Sequence, residues 1–313
     1  MTKMLWRKRG LIFEGDSALP WSRSHAQIPT VSSFKPGVLS IFYSSRDANN
    51  LSRIGRVDVD SGDPSKIIAR YSAPVLELGL LGTFDDSGMM PSSIVKLHDR
   101  IFLYYIGWNV RTNVPYHNSV GLAVSDDGGE SFRRAFEGPV MDRTSNEPFF
   151  CGTSCVRVED GLWRNWYMSC TGWENVDGRV EPRYHLKYAE SSDGVHWRRE
   201  GVIAIDYGSS DEGGIVRATV CKAKNLYQMW FSFRSLVGYR TNSSNSYRIG
   251  YAESLDGIKW VRKDRQVGID VSEDGWDSLM LAYPEVVDIE NHRFMFYNGN
   301  GFGLTGIGYA IAE

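Results

Sequence analysis

The side chains best suited to chemistry in this chain are carboxylates that fall in loops just ahead of short apolar runs. Asp85 and Asp86 stand in Phe84-Asp85-Asp86-Ser87-Gly88, and Glu147 precedes Pro148-Phe149-Phe150. Asp211 and Glu212 stand in Ser209-Ser210-Asp211-Glu212-Gly213-Gly214, and Asp277 precedes Tyr283 and Glu285. The corresponding place near the start of the chain carries His25 and Gln27. Carboxylates gathered in one pocket repel one another, so one keeps its proton while a partner stays ionised. Such a pair can protonate a leaving oxygen and activate a nucleophile. Glu212 is the acid of choice: Gly213-Gly214 gives backbone room, and Arg217 can anchor a carboxylate or a phosphate oxygen with its fork of donors. Asp86 or Glu285 is the candidate base, and Glu147 is a further catalytic candidate. Glu285 keeps a charge within Ala282-Tyr283-Pro284-Glu285-Val286-Val287, so it needs a partner or water.

Arg217, His25, Gln27 and Tyr283 are the candidate binding groups around these acids. His185 and Arg248 occupy matching places three residues before Tyr188 and Tyr251, where a polar ring could hold sugar hydroxyls or phosphate. Trp108 and Trp173 sit in related Gly-Trp contexts within long inserts and could form stacking walls. Each has a structural alternative. Glu212 could be a solvated loop acid paired with a surface arginine, Glu285 could pair with a neighbouring unit, and the two tryptophans could hold their loops to the scaffold.

The elements that must position these groups are repeated. Tyr188-Ala189-Glu190-Ser191-Ser192-Asp193-Gly194-Val195-His196-Trp197 and Tyr251-Ala252-Glu253-Ser254-Leu255-Asp256-Gly257-Ile258-Lys259-Trp260 are copies of one phrase, and Gly121 to Phe132 is a third. An aromatic run precedes each, and Tyr43, Tyr105, Tyr167, Phe231 and Tyr297 mark equivalent points spaced by 62, 62, 64 and 66 residues. Such a period is the mark of a repeat architecture. Each unit reads as four short strands, the last two joined through Asp-Gly as in a tight hairpin. The fold expected is therefore all-β, a five-bladed β-propeller of mostly four-stranded antiparallel blades, with residues 1–313 forming one domain. Ile307-Gly308-Tyr309-Ala310 reads as a third strand with little after it, so residues near Leu11 to Phe13 should supply the fourth. Trp197 and Trp260 should cover seams between blades, and Asp126, Asp193 and Asp256 are read as architecture.

Composition narrows the partners. The formal net charge is −3, with 35 Lys+Arg against 38 Asp+Glu, so no global field gathers a polyanion and neither nucleic acid nor a membrane surface is expected. Leu11-Ile12-Phe13 is too brief for a signal-peptide core, and a cytoplasmic protein is expected. Aromatics form 13% of the chain, suited to strands and to platforms for sugar rings or bases. Cys151, Cys155, Cys170 and Cys221 read as buried free thiols, with no second close pair to complete a zinc site; no metal or cofactor is expected. No Walker, HExxH or GxSxG arrangement is present.

With five units and the Tyr-Ala-Glu-Ser-x-Asp-Gly-x-x-Trp phrase, the chain resembles the five-bladed propeller superfamily of glycoside-processing proteins, over nearly its whole length. That superfamily includes arabinanases and xylosidases, the invertase and levansucrase group, and mannoside phosphorylases. The resemblance implies that the first strands of the blades line an axis and that a saccharide, glycoside or sugar nucleotide enters at one end. Hydrolases of this kind carry an aspartate on the first blade as base or nucleophile and a glutamate on a later blade as acid. Here the first blade begins His25-Ala26-Gln27-Ile28-Pro29-Thr30, and Arg46-Asp47 is followed by Ala48 where the invertase-type triplet has proline. The resemblance thus implies a divergent carbohydrate-active enzyme, read first as a glycoside hydrolase. Transfer or phosphorolysis, and a non-catalytic carbohydrate-binding propeller, stay open.

Overall fold

Runs of β-branched and aromatic residues, cut at short intervals by glycine-containing turns, fold here into antiparallel sheets. The computed structural model describes residues 4–313. Strand β1 (Trp6–Phe13) is followed by a first blade of β2 (Ser24–Ser32), β3 (Val38–Arg46), β4 (Ser52–Asp60) and β5 (Ile67–Arg70). The second blade is β6 (Gly88–Leu97), β7 (Arg100–Val110), β8 (Tyr116–Ser125) and β9 (Arg133–Arg134). The third is β10 (Cys151–Glu159), β11 (Leu162–Val176), β12 (Arg179–Ser191) and β13 (Ile203–Ile205). The fourth is β14 (Glu212–Ala223), β15 (Leu226–Ser235), β16 (Arg248–Ser254) and β17 (Val261–Arg262). In the last, β18 (Ala282–Ile289), β19 (His292–Asn298) and β20 (Ile307–Ala312) are completed by β1, which runs antiparallel to β20 from Trp6↔Ala312 to Phe13↔Ile307.

The inner strands close a ring, β2 against β6, β6 against β10, β10 against β14, β14 against β18, and β18 against β2. This is a five-bladed β-propeller. Second strands are covered on both faces by neighbouring blades, which is why Leu103-Tyr104-Tyr105, Trp166-Tyr167 and Trp230-Phe231 are continuous apolar runs, all buried, rather than alternating ones. No helix among the described residues is long and apolar enough to cross a membrane.

The repeated phrase locks one blade to the one before it. Tyr104 Oη donates to Gly194 O at 2.7 Å, and Trp166 Nε1 donates to Gly257 O at 2.8 Å. Trp197 and Trp260 meet Tyr104 and Trp166 edge-on across the two seams. Gly194 adopts φ 74°, and a Cβ there would sit 2.6 Å from Tyr104 Oη, so a side chain is excluded by both conformation and space. Asp193 Oδ1 accepts from the backbone N–H of Val195 and His196, and Asp256 Oδ1 from those of Ile258 and Lys259, each at 2.8 Å. In the second blade the equivalent acid is Asp127, which accepts from Glu130 and Ser131 N–H groups, and not the expected Asp126, which bonds Arg100 and Arg133. Asp127 stands two residues after Ser125, as Asp193 does after Ser191, and each accepts from that serine hydroxyl; the extra Gly129 moves the accepted N–H groups on by one.

Inner strands begin earlier than the apolar runs suggest, because each carries a register shift near its start: at Gln27/Thr30, Pro91/Ser93, Gly152/Ser154, Val216/Thr219 and Ala282/Glu285. Bulges of this kind bend a strand and re-aim a side chain. His25, Ile28, Arg217 and Tyr283 have φ between 55° and 65°, in the left-handed region, at these points.

Candidate active site

At the end of the ring where the inner strands begin lies a cavity of about 370 Å³ to which every blade contributes. The first blade presents His25, Gln27 and Arg46, the second Trp108, Tyr116 and Asn118, and the third Thr153 and Tyr184; Tyr239, Arg240 and Tyr247 come from the fourth, Tyr283 and Phe302 from the fifth. No carboxylate lines it. Of the residues singled out in the sequence, His25, Gln27, Trp108 and Tyr283 are brought together here. Trp108 is fixed by its Nε1–H donating to Ser52 Oγ at 2.8 Å. Gln27 is only 4% exposed; its Nε2 donates to Phe302 O, and its Oε1 has no partner.

The expected acids are elsewhere, and the reason is the repeat itself. Asp85 accepts from Tyr105 Oη at 3.0 Å and from Arg134 at 2.7 and 2.9 Å. Glu147 accepts from Tyr167 Oη at 2.8 Å, Lys187 at 3.2 Å and Arg199. Asp277 accepts from Tyr297 Oη at 3.0 Å and pairs with Lys8 at 2.8 Å. In the fourth blade Phe231 replaces the tyrosine, and Glu212 is held by Arg262 at 2.8 and 3.0 Å while that guanidinium lies 5.2 Å from the Phe231 ring centre. In the second to fifth blades an acid at or ahead of the start of the inner strand thus clamps the middle of its own blade to a cation on or beside the fourth strand. Glu147 and Glu212, expected to be catalytic, are such clamps and do not line the cavity. Burial alone would raise the Glu147 pKa, yet Arg199, Tyr167 and Lys187 hold it below the usual carboxylate range. Asp86 accepts from Asn109, Ser87 and the Gly82 N–H, so it organises its own loop.

Arg217 and Glu285 lie on the axis beyond the cavity floor. Arg217, 1% exposed, donates to Ser92 O, to Pro29 O at 2.7 Å, to Thr30 Oγ1 at 3.1 Å and to Glu285 Oε2 at 2.8 Å. Its backbone N–H donates to Thr153 Oγ1 at 3.2 Å. A residue of the fourth blade therefore bonds to all four others. Burial pushes the Glu285 carboxyl up, against the opposing pull of Arg217 and the Val31 N–H. The remaining candidates also fall outside the cavity. His185 bonds Asp206 at 3.0 Å and stacks on Tyr207, Arg248 donates to the carbonyls of Tyr247 and Leu279, and Trp173 packs between Tyr116 and Phe150.

The charged wall of the cavity belongs to residues that the sequence did not single out for chemistry. Among the described residues no carboxylate lies within ion-pairing distance of the Arg46 guanidinium, and its side chain makes no hydrogen bond. His25 beside it is pushed down to about 4, first by burial and then by Arg46. Arg240 Nε and Nη2 donate to Glu181 at 3.0 and 3.2 Å, and Tyr239 Oη donates to Glu181 Oε2 at 2.5 Å. Glu181, 6% exposed, is the carboxylate bonded to residues of the cavity wall. Arg234 lies under the Tyr239 ring at 3.8 Å and donates to Tyr184 Oη, which is hydrogen-bonded to Tyr247 Oη. The one available signal was position: Glu181, at the start of β12, and Tyr239-Arg240, between β15 and β16, fall where the sequence has inserts between second- and third-strand runs, which project from the same rim. Among the described residues no group of His, Cys, Asp or Glu could hold a metal ion, and the four cysteines are free.

The chain is 39% identical over 310 residues to the uncharacterized protein Rv1502 of Mycobacterium tuberculosis, covering 99% of this chain and all of the relative. It belongs to that protein's family. A shorter stretch of 72 residues, 21% of this chain and 24% of the relative, is 36% identical to 1,2-beta-oligomannan phosphorylase of Thermoanaerobacter sp.. No family model matches the chain. Among solved structures, a putative glycoside hydrolase from Bacteroides ovatus superposes with a TM-score of 0.72 at 16% identity, covering 99% of this chain and 96% of the other. A thermostable family-43 glycoside hydrolase gives 0.66 at 16% identity, covering 93% and 88%. The chain thus has the five-bladed propeller fold of these glycoside hydrolase structures, and the acids of its blade clamps do not line the cavity at its mouth.

Proposed function

We propose that the protein is a carbohydrate-active enzyme that takes a saccharide into the cavity at the mouth of the ring. The observation that carries this is the convergence of side chains from five blades, from His25 to Phe302, on one space of about 370 Å³. Trp108 and Tyr283 offer faces to a sugar ring, and the free Gln27 Oε1 offers an acceptor to a hydroxyl. The whole chain, residues 1–313, acts in this reading as one unit.

Paired-carboxylate hydrolysis needs two acids flanking the scissile bond. The cavity has no such pair, so the proton-handling group is Glu181, acting through the hydroxyl of Tyr239. In transfer from a sugar phosphate, an attacking hydroxyl gives its proton to Tyr239 Oη as the Tyr239 proton passes to Glu181, and the new bond to the anomeric carbon forms as phosphate departs with the old bond's electron pair; phosphorolysis is the same step reversed, the proton returning from Glu181 through Tyr239 to the leaving oxygen. Transfer or phosphorolysis is favoured over hydrolysis by Arg46 and Arg240 in the wall, and by the stretch of identity to a protein named as a phosphorylase.

The test is turnover of a panel of glycosides, sugar phosphates and sugar nucleotides, with and without inorganic phosphate. Glu181→Gln and Tyr239→Phe should leave saccharide binding within a few-fold and reduce kcat by roughly 10²-fold or more. Full activity in both variants would remove Glu181 from the mechanism, and saccharide binding unaffected by Trp108→Ala would remove the cavity.

A further inference from the structure

We propose that Arg46, Arg240 and His25 form an oxyanion subsite in one wall of this cavity, and that the group it takes is phosphoryl. The proposal rests on the reading of the cavity as a saccharide site and adds the charge of the ligand.

A guanidinium withdrawn from bulk water is stabilised by a counter-ion, and this chain supplies one at comparable places: Arg134 with Asp85, Arg199 with Glu147, Arg262 with Glu212. Arg46 departs from that pattern, facing a cavity whose lining has no acid. It lies close enough to Arg240 and His25 for its charge to be felt by both, since Arg240 opposes its protonation and it opposes that of His25. Arg240 has Glu181 as its counter-ion, so the uncompensated charge is that of Arg46, and an anion held between it, Arg240 and the imidazole completes the arrangement. Arg240 is oriented by Glu181 through Nε and Nη2, which leaves Nη1 for a ligand. His25 Nδ1 is 2.9 Å from Ser24 Oγ; with that hydroxyl donating, Nε2–H is left as a donor toward the cavity. The Arg46 fork, Nη1 of Arg240 and an imidazole N–H offer more donors than the two oxygens of a carboxylate can accept, whereas a phosphoryl group presents three oxygens and up to two charges. A phosphoryl oxygen also departs from a sugar without needing a proton, which matches a cavity with no carboxylic acid in its lining.

The source of the phosphoryl group is either inorganic phosphate or the sugar itself, and calorimetric titration of the full chain separates them. The probes are inorganic phosphate, a panel of hexose 1-phosphates and the matching neutral hexoses at low salt. Binding of inorganic phosphate alone or with a neutral sugar identifies a co-substrate; binding of hexose 1-phosphates without it identifies a phosphorylated sugar. In either case Arg46→Met should weaken binding at least ten-fold, with Arg46→Lys recovering part, and unfolding curves report whether the variants fold. Should Arg46→Met not fold, Arg240→Met carries the same expectation. No binding of either phosphate probe, or binding indifferent to both arginines, overturns the proposal. Neutral hexose binding lost in Trp108→Ala without any response to phosphate overturns the subsite while leaving the carbohydrate cavity in place.

Discussion

The Arg217 guanidinium donates to Glu285 Oε2 at 2.8 Å across the axis of the ring, with Arg217 held in a left-handed conformation at φ 59° by a bulge in its strand. Arg217 is buried and Glu285 partly so, and the pair sits between the cavity at the mouth and a second cavity of about 380 Å³ at the other end, lined by Val31, Cys221 and Val286 among others. The residues look like a carboxylate and its anchor in a functional site, but their neighbours make them the pin on which five blades are centred.

Arg217→Met should therefore destabilise the fold by about 3–5 kcal/mol, because it leaves the Glu285 charge unpaired and the carbonyls of Pro29 and Ser92 without this donor. Adding Glu285→Gln should recover part of that loss. Urea unfolding of the two variants checks both statements, and a double variant less stable than the single one would contradict the pairing argument.

Glu212→Gln should lower stability by about 2 kcal/mol through loss of the charge-assisted bonds to Arg262, and leave saccharide binding and turnover near wild type. A drop in kcat at unchanged stability would return Glu212 to the catalytic machinery and displace Glu181.

His25 gives the folded state a defined pH response. Its pKa falls from the ordinary 6.5 to about 4 on folding, through burial and the neighbouring Arg46. Between those values the unfolded chain binds a proton that the folded chain refuses, so stability falls as pH drops through that window and the contribution is complete above it. His25→Gln should flatten this part of the stability profile between pH 7 and pH 4.5; identical slopes for variant and wild type would place His25 in an unperturbed environment.

Strand β1 closes the last blade, and Trp6 on it is buried edge-on against Trp230 of the fourth blade. Trp6→Ala should cost about 3 kcal/mol, and removal of residues 4–13 should leave β20 without its partner and abolish cooperative unfolding. Calorimetry of the truncated chain showing a wild-type transition would mean that the ring does not depend on this strand.

The repeat could be read from the sequence because blade packing uses local chemistry. An Asp-Gly turn needs a positive φ at glycine and an aspartate acceptor for the next N–H groups, and a second strand buried on both faces needs an unbroken aromatic run, so Asp193-Gly194 and Trp230-Phe231 announce their roles without any partner being known. The same regularity misdirected the reading of Glu147 and Glu212: acids at equivalent places in successive blades are equivalent because each clamps its own blade. Trp108, His25, Gln27 and Tyr283 were legible as members of one mouth, since the start of each inner strand marks it. Glu181, Tyr239, Arg240 and Arg46 were not, because nothing local says which way a long insert folds over the ring or where a bulge aims a side chain. Only closure of the five blades brings Arg46 near Arg240 and leaves it without an acid, and that relation is a property of the ring rather than of any segment in it.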